Sequence, residues 1–334
     1  MNPLRLLVNL PNGFFGVAEL NEAFERMRTL AEVRCTSHNT ADEIRADLAW
    51  SNAVIMWSWP MLSHELLDTA PNLKLAGHID IGQAGARIAL ERGLAVSVSR
   101  HGFSPAVAEM ALALILSTLR RVSDYHYQMS LGSEPWVRAF PDDVDPRERE
   151  LSGRSVGVIG FGRVGQRLVE LLEPFRCSVR IYDPFIDQQK VQAPGATSVA
   201  LEEMIRESDV VVLCAATNPG SRHLLGPAEV AMLRRDAVFV NVARAALVDS
   251  DALVRRLQRG DLYAALDVFD REPLEADSIL RSLPNAYLTP HRAGGLLVSV
   301  QRTIDWLVDD LIAFTEGRER RHALTEAMLP GLDG

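Results

Sequence analysis

Residues 156–168 read VGVIGFGRVGQRL, a β-branched apolar run that meets Gly160, Gly162 and Gly165 and passes at once into a helical pattern. The three glycines have different tasks. Gly160 permits a tight turn, Gly162 lets the backbone come close to a charged group, and Gly165 lets the following helix pack against the strand. The helix starting at Arg163 and Val164 presents free N–H groups and a partial positive charge. Strand, turn and helix together form a unit suited to holding a diphosphate, and such a βαβ unit needs a parallel sheet around it. The motif sits nearly halfway along a chain of 334 residues, so a long stretch precedes it.

That stretch alternates in the same way. Strands are expected at LRLLVNL, AVIMW, LKLAGHI and AVSVS, with helices roughly at 17–30, 60–70 and 84–92. One long helix is expected over 104–130, with Ser104 as N-cap and Pro105 in its first turn. A polar loop, PDDVDPRERELSGR, leads to six more strands: SVGVIG, SVRIYD, DVVVLCA, AVFVNVA, AALDVF and AYLTP. Each is apolar enough to be buried on both faces. Helices at 164–175, 201–208 and 249–259 separate most of them, and a last helix is expected at 296–316. Alternating β and α implies parallel sheets wound by right-handed crossovers. The expected fold is therefore α/β with two doubly wound parallel-sheet domains. A Rossmann dinucleotide domain over 102–293 is inserted into a flavodoxin-like domain made of 1–101 and 294–334, with a cleft between them.

Length supports two domains, since one core rarely serves 334 residues. A formal net charge of −9 argues against a nucleic-acid partner, which usually meets a basic face. Cys35, Cys177 and Cys214 are odd in number and lack C-x-x-C spacing. They suggest neither a disulfide framework nor a metal cluster, which fits a reducing cytosol. MNPLRLLVNLPNG lacks the basic start and long apolar core of a signal peptide, and AEMALALILSTL reads as too short to span a bilayer. A cytoplasmic protein with no membrane partner is expected.

Asp183 closes VRIYDPF, 18 residues after Gly165. A carboxylate there suits the adenosine ribose hydroxyls and would repel a 2′-phosphate, so the cofactor expected is NAD. Three polar residues follow the ends of the last strands: Arg244 after VFVNVA, Glu272 two residues beyond ALDVF, and His291 at the end of AYLTP. Arg can grip a carboxylate through two bonds, His exchanges protons near neutral pH, and a neighbouring Glu would orient the ring and stabilise its charged form. That set could reduce a 2-keto acid. Taken singly, each also has a plain reading as a surface charge, a loop acid or a strand end.

The ordered series GFGRVG, NVARAALVD, ALDVFDREPL and LTPHRAGG, with TNPGSRHLLG and VAEMALALIL, resembles the D-isomer-specific 2-hydroxyacid dehydrogenases. The resemblance is dense over 100–295 and only one of layout before that. It implies hydride transfer between NAD(H) and a D-2-hydroxy acid or its 2-keto acid. Arg244 would bind substrate, Glu272 would be the acid partner, and His291 would give or take the proton. Asp267 would bind the nicotinamide carboxamide, and Val242, Ala243 and the Ala293–Gly294 turn would line the cofactor site. It also implies a homodimer, paired through the 104–130 helix and the loop carrying Trp136.

Departures lie in the first domain. Where the family has a Gly-rich loop whose N–H groups hold the substrate carboxylate, this chain reads GHIDIGQAG, so Asp80, Ile81 and Gly82 form the expected substrate loop. Facing inward, Asp80 would repel that carboxylate by roughly 4 kcal/mol at about 4 Å and an effective dielectric near 20, unless a cation such as Arg100 or His101 compensated. Inward, it would favour a substrate carrying a hydroxyl or amine; turned to solvent, it would leave only its N–H to the ligand. Trp57 and Trp59, in WSWP, read equally as packing or as cleft residues. The alternative to an enzyme is an NADH-sensing regulatory protein on the same fold, like the C-terminal-binding corepressors.

Overall fold

Two wholly parallel sheets organise the chain in a computed structural model that describes residues 4–133, 135–186, 195–218 and 220–332. The chain divides into two units, Met1–Phe103 with Gly295–Gly334, and Ser104–Gly294.

The first unit holds β1 (Arg5–Asn9), α1 (Asn21–Leu30), β2 (Glu32–Thr36), α2 (Ala41–Trp50), β3 (Ala53–Met56), α3 (His64–Asp68), β4 (Leu75–His78), α4 (Gln83–Glu91) and β5 (Ala95–Val98). Its sheet runs β2-β1-β3-β4-β5, the flavodoxin-like order. Alternate residues of β1 feed two cores. Leu7 packs with Ile44, Leu48, Leu66 and Ala86 from α2–α4, while Leu6 and Val8 pack with Phe24 and Met27 of α1. The second of these cores also receives Ile304, Leu307, Val308 and Leu311 from the C-terminal helix of the chain, which belongs to this unit.

The second unit opens with α5 (Ser104–Arg120) and α6 (Val122–Leu131). There follow β6 (Ser155–Ile159), α7 (Arg163–Leu172), β7 (Ser178–Tyr182), β8 (Ala196–Ser198), α8 (Leu201–Glu207) and β9 (Val210–Leu213). The unit continues with α9 (Pro227–Met232), β10 (Ala237–Asn241), α10 (Ser250–Gln258), β11 (Leu262–Leu266) and β12 (Ala286–Leu288); the C-terminal helix is α11 (Leu297–Thr315). The sheet order is β12-β11-β10-β9-β6-β7-β8. Strand order reverses between β6 and β9, and the crevice beyond the carboxyl ends at such a point is where open α/β sheets bind ligands. Valines alternate to both faces: Val210 and Val212 pack with α5 and α7, Val211 with the α8–α10 layer.

Sequence and structure differ in several elements. β2 is an added strand, polar and mostly exposed at the sheet edge, so no apolar run announces it. α2 is a further element that the apolar pattern does not announce; a capping box, Thr40 with Glu43, starts it. β8 is a three-residue edge strand in the second sheet. The helix expected over 104–130 is two helices, because Arg121 takes a left-handed conformation (φ 53°) between them. There its guanidinium pairs with Asp124 and Asp145. Ser104 is the first residue of α5, not its cap, since a 3-10 turn, Arg100–Phe103, runs straight into it. Together they make a 21-residue helical stretch, Arg100–Arg120, long and apolar enough by length and composition to cross a membrane, contrary to the sequence reading. Half of it is buried, and α5 packs on α7 and the sheet of its own unit.

Candidate active site

The glycine turn has the shape its residues require. Gly160 follows β6 at φ +89°, and a Cβ there would lie 2.6 Å from the Ala215 backbone. A Cβ on Gly165 would lie 2.2 Å from the Gly160 carbonyl oxygen, so α7 approaches the turn as no larger residue allows. Gly162 is different: it is the N-cap of α7, and a Cβ there would meet nothing within 4 Å. Its bare backbone faces open space at the helix N-terminus, beside Arg163 and Val164, which fits a diphosphate. Asp183, just past β7, accepts hydrogen bonds from the Phe161 N–H (2.8 Å) and the Phe185 N–H (2.9 Å). Its carboxylate thus ties the glycine turn to the end of β7, and each oxygen keeps a lone pair for a ribose hydroxyl. These residues fit a dinucleotide.

On the other side of the crossover, three strand ends carry the polar residues. Arg244 follows β10 in extended conformation (φ −143°, ψ 144°), and its Nη1 donates to the Ala243 carbonyl (2.8 Å). The turn is held by Asn241, whose buried side chain donates to the Arg244 carbonyl (3.1 Å) and accepts from the Ala243 N–H (3.0 Å). Val242 and Ala243 are buried beneath it.

Glu272 and His291 meet. Glu272 Oε2 lies 2.6 Å from His291 Nδ1, and Oε1 accepts from the Phe269 N–H (3.0 Å). Partial burial works against the Glu272 charge. The hydrogen bond from His291, the Phe269 N–H and the charges of His291 and Arg244 outweigh it and hold the carboxyl below its ordinary value. His291 has a left-handed backbone (φ 50°) and a ring 45% exposed, with Nε2 as the nitrogen Glu272 does not engage.

Asp267 lies beneath that histidine. It is wholly buried and accepts from Thr289 Oγ1 (2.5 Å), the Arg292 N–H (2.9 Å) and the Ala293 N–H (2.8 Å). Its carboxylate therefore fixes the 289–293 segment, including the approach to Gly294, and with it the unusual backbone of His291. Asn241 and Thr289 were missed by sequence reasoning. Asn241 had a signal, a polar residue closing an apolar strand; Thr289 had none.

In the first unit, Asp80 follows β4 and Arg100 follows β5. Arg100 Nη1 lies 3.5 Å from Asp80 Oδ1. Ile81 is buried and Gly82 is the N-cap of α4. Trp57 stacks on Phe14 (5.4 Å between ring centres) and packs beside Trp59 and Phe103, so packing accounts for it. Its carbonyl lies 3.3 Å from Nδ1 of His78, whose complete burial lowers its pKa to about 4 and keeps it neutral. Among the described residues no cluster of His, Cys, Asp or Glu could hold a metal ion.

Residues 112–293 match the NAD-binding domain of the D-isomer specific 2-hydroxyacid dehydrogenases, just over half of the chain. The chain belongs to the D-isomer-specific 2-hydroxyacid dehydrogenase family. The second unit is thus that family's NAD-binding domain. A family relative, the glyoxylate reductase of Aeropyrum pernix, is 30% identical over 257 residues, 76% of this chain and 77% of that enzyme. The D-3-phosphoglycerate dehydrogenase of Methanocaldococcus jannaschii is 28% identical over 81% of this chain, which spans only 51% of that enzyme's length. Among solved structures of the family, the NADPH-dependent glyoxylate/hydroxypyruvate reductase of Sinorhizobium meliloti, in complex with NADP and malonate, superposes with a TM-score of 0.76. It is 27% identical, with 99% of each chain covered.

Proposed function

We infer that the protein is an NAD-dependent oxidoreductase that interconverts a D-2-hydroxy acid and its 2-keto acid. The observation that carries this reading is the 2.6 Å contact between Glu272 and His291, on strand ends that also present Arg244. NAD(H), when bound, supplies or accepts the hydride at substrate C2. In reduction, Arg244 holds the substrate's carboxylate and carbonyl oxygen, offering a permanent positive charge where negative charge develops. His291 donates the proton to the new alkoxide through Nε2, while Glu272 fixes the ring from Nδ1 and balances its charge. In oxidation, the same nitrogen takes the hydroxyl proton. Asp267 and Asn241 hold the two turns; a direct contact from Asp267 to the nicotinamide carboxamide, as the family resemblance implies, is part of the proposal. Val242, Ala243 and Gly294 line the nicotinamide side, and the substrate-binding role expected of Asp80, Ile81, Gly82 and Arg100 from the sequence is part of the proposal.

NAD is the preferred form, because Asp183 would repel a 2′-phosphate. The apolar surface over α6 and the segment after it supports a homodimer, and the unpaired Cys35, Cys177 and Cys214 fit the cytoplasm. The relatives reported above are named as enzymes and give no support to an NADH-sensing role.

NADH absorbance, followed with glyoxylate, pyruvate and hydroxypyruvate, tests the reading. Turnover with NADH well above that with NADPH is expected. Tight NADH binding with no turnover of any of them would favour the sensor, and equal use of NADPH would remove Asp183 from cofactor selection.

A further inference from the structure

β10 is apolar and buried from Ala237 to Val240, and it ends on a polar residue, Asn241, that is only 2% exposed. A buried amide is costly unless its donors and acceptor are used, and both ends of this one serve the same turn. Asn241 Oδ1 accepts from the Ala243 N–H (3.0 Å), and Nδ2 donates to the Arg244 carbonyl (3.1 Å). The guanidinium returns to the turn as well, Arg244 Nη1 donating to the Ala243 carbonyl (2.8 Å). Ala243 is therefore gripped through its N–H by one side chain and through its carbonyl by the other. The clamp is also tied into the sheet, because the Asn241 carbonyl accepts from the Asp267 N–H at the end of the neighbouring strand (3.0 Å). An arginine has several rotatable bonds and loses much freedom when it holds one direction. Fixing both its backbone and its head in advance removes part of that cost from binding.

We propose that Asn241 is a positioning residue: its amide aims the Arg244 guanidinium at the substrate carboxylate, and so sets substrate affinity while leaving proton transfer to Glu272 and His291. The proposal rests on the reading that Arg244 binds the substrate. An amide suits this place and its isostere does not. Aspartate has the same shape and would still accept from the Ala243 N–H, but it has no N–H for the Arg244 carbonyl and would set an oxygen against it. Its charge would also compete with the substrate carboxylate for the same guanidinium.

The test compares NADH-dependent reduction of glyoxylate and hydroxypyruvate by wild type, Asn241→Asp, Arg244→Lys and the two substitutions combined. Thermal unfolding and NADH fluorescence show that each variant is folded; Asn241→Ser takes the place of Asn241→Asp if that variant does not fold. Asn241→Asp is expected to raise KM for both 2-keto acids by about 10-fold or more, with kcat and NADH affinity within about 3-fold of wild type. Arg244→Lys is expected to raise KM by about 100-fold, and adding Asn241→Asp to cost less than about 2-fold more, because no guanidinium remains to be aimed. A residue that merely held the fold would instead lower NADH affinity or kcat, and would add its full effect to that of Arg244→Lys. Unchanged KM in Asn241→Asp, a loss confined to kcat, or full additivity overturns the role of Asn241 and leaves the enzyme reading intact. Wild type that binds NADH and reduces neither acid overturns both.

Discussion

Glu272 and His291 are 19 positions apart in sequence, yet their side chains form one unit. The spacing placed each at a strand end. It could not say that Glu272 also anchors on the Phe269 N–H, or that His291 takes a left-handed backbone under the control of a buried Asp267. Those depend on long-range hydrogen bonds with no local signature. Glu272 is held below its ordinary 4.5, so it stays anionic as pH falls to that value. Loss of activity through protonation of Glu272 is therefore expected only below that pH, which kcat/KM for reduction measured down the acid range checks. Glu272→Gln removes the anion that fixes the ring through Nδ1, and kcat is expected to fall by about 10-fold or more at unchanged NADH affinity. An unchanged kcat in that variant removes Glu272 from the mechanism.

The elements easiest to read were those buried on both faces. β3, β4, β9 and β10 are buried throughout, and their apolar runs say so. β2 and β8 escaped because an edge strand needs only one paired side and can be polar. The split between α5 and α6 escaped because nothing in LRRVSD marks Arg121 as left-handed; partners far along the chain do, with Asp145 bound to its guanidinium and Tyr287 donating to Asp124 (2.6 Å). That break releases α6 from the core, and none of its described residues is buried. Tyr127, Leu131, Trp136, Val137 and Phe140 are all exposed on this stretch, and Phe140 is 83% exposed. A monomer rarely leaves so much apolar surface in one region open to water. Sedimentation is expected to give about twice the chain mass of 36.9 kDa. The double substitution Leu131→Asp, Phe140→Asp is expected to weaken association by about 100-fold or more, with NADH binding retained. A wild-type monomer at micromolar concentration would refute the dimer.

The two sheets have different topologies, and the conspicuous sequence signals belong almost entirely to the second. There the glycine turn, the Asp183 carboxylate and the Arg244, Glu272 and His291 strand ends follow one another in an order set by cofactor chemistry. In the first unit, packing dominates: Trp57 against Phe14, and His78 neutral beneath the β4 loop. The family relation reaches both units, since the Sinorhizobium meliloti reductase covers 99% of the chain. If the second unit performs hydride transfer with His291 as the proton donor, deuterium placed at C4 of NADH, on the face that reacts, must appear at C2 of the product. Mass spectrometry and chiral chromatography of the product from an accepted 2-keto acid measure this directly. A C2-deuterated D-2-hydroxy acid is expected from wild type, with formation slowed by about 1000-fold in His291→Asn at unchanged NADH affinity. Product of the L configuration, absence of deuterium at C2, or an undiminished rate in His291→Asn would contradict the mechanism.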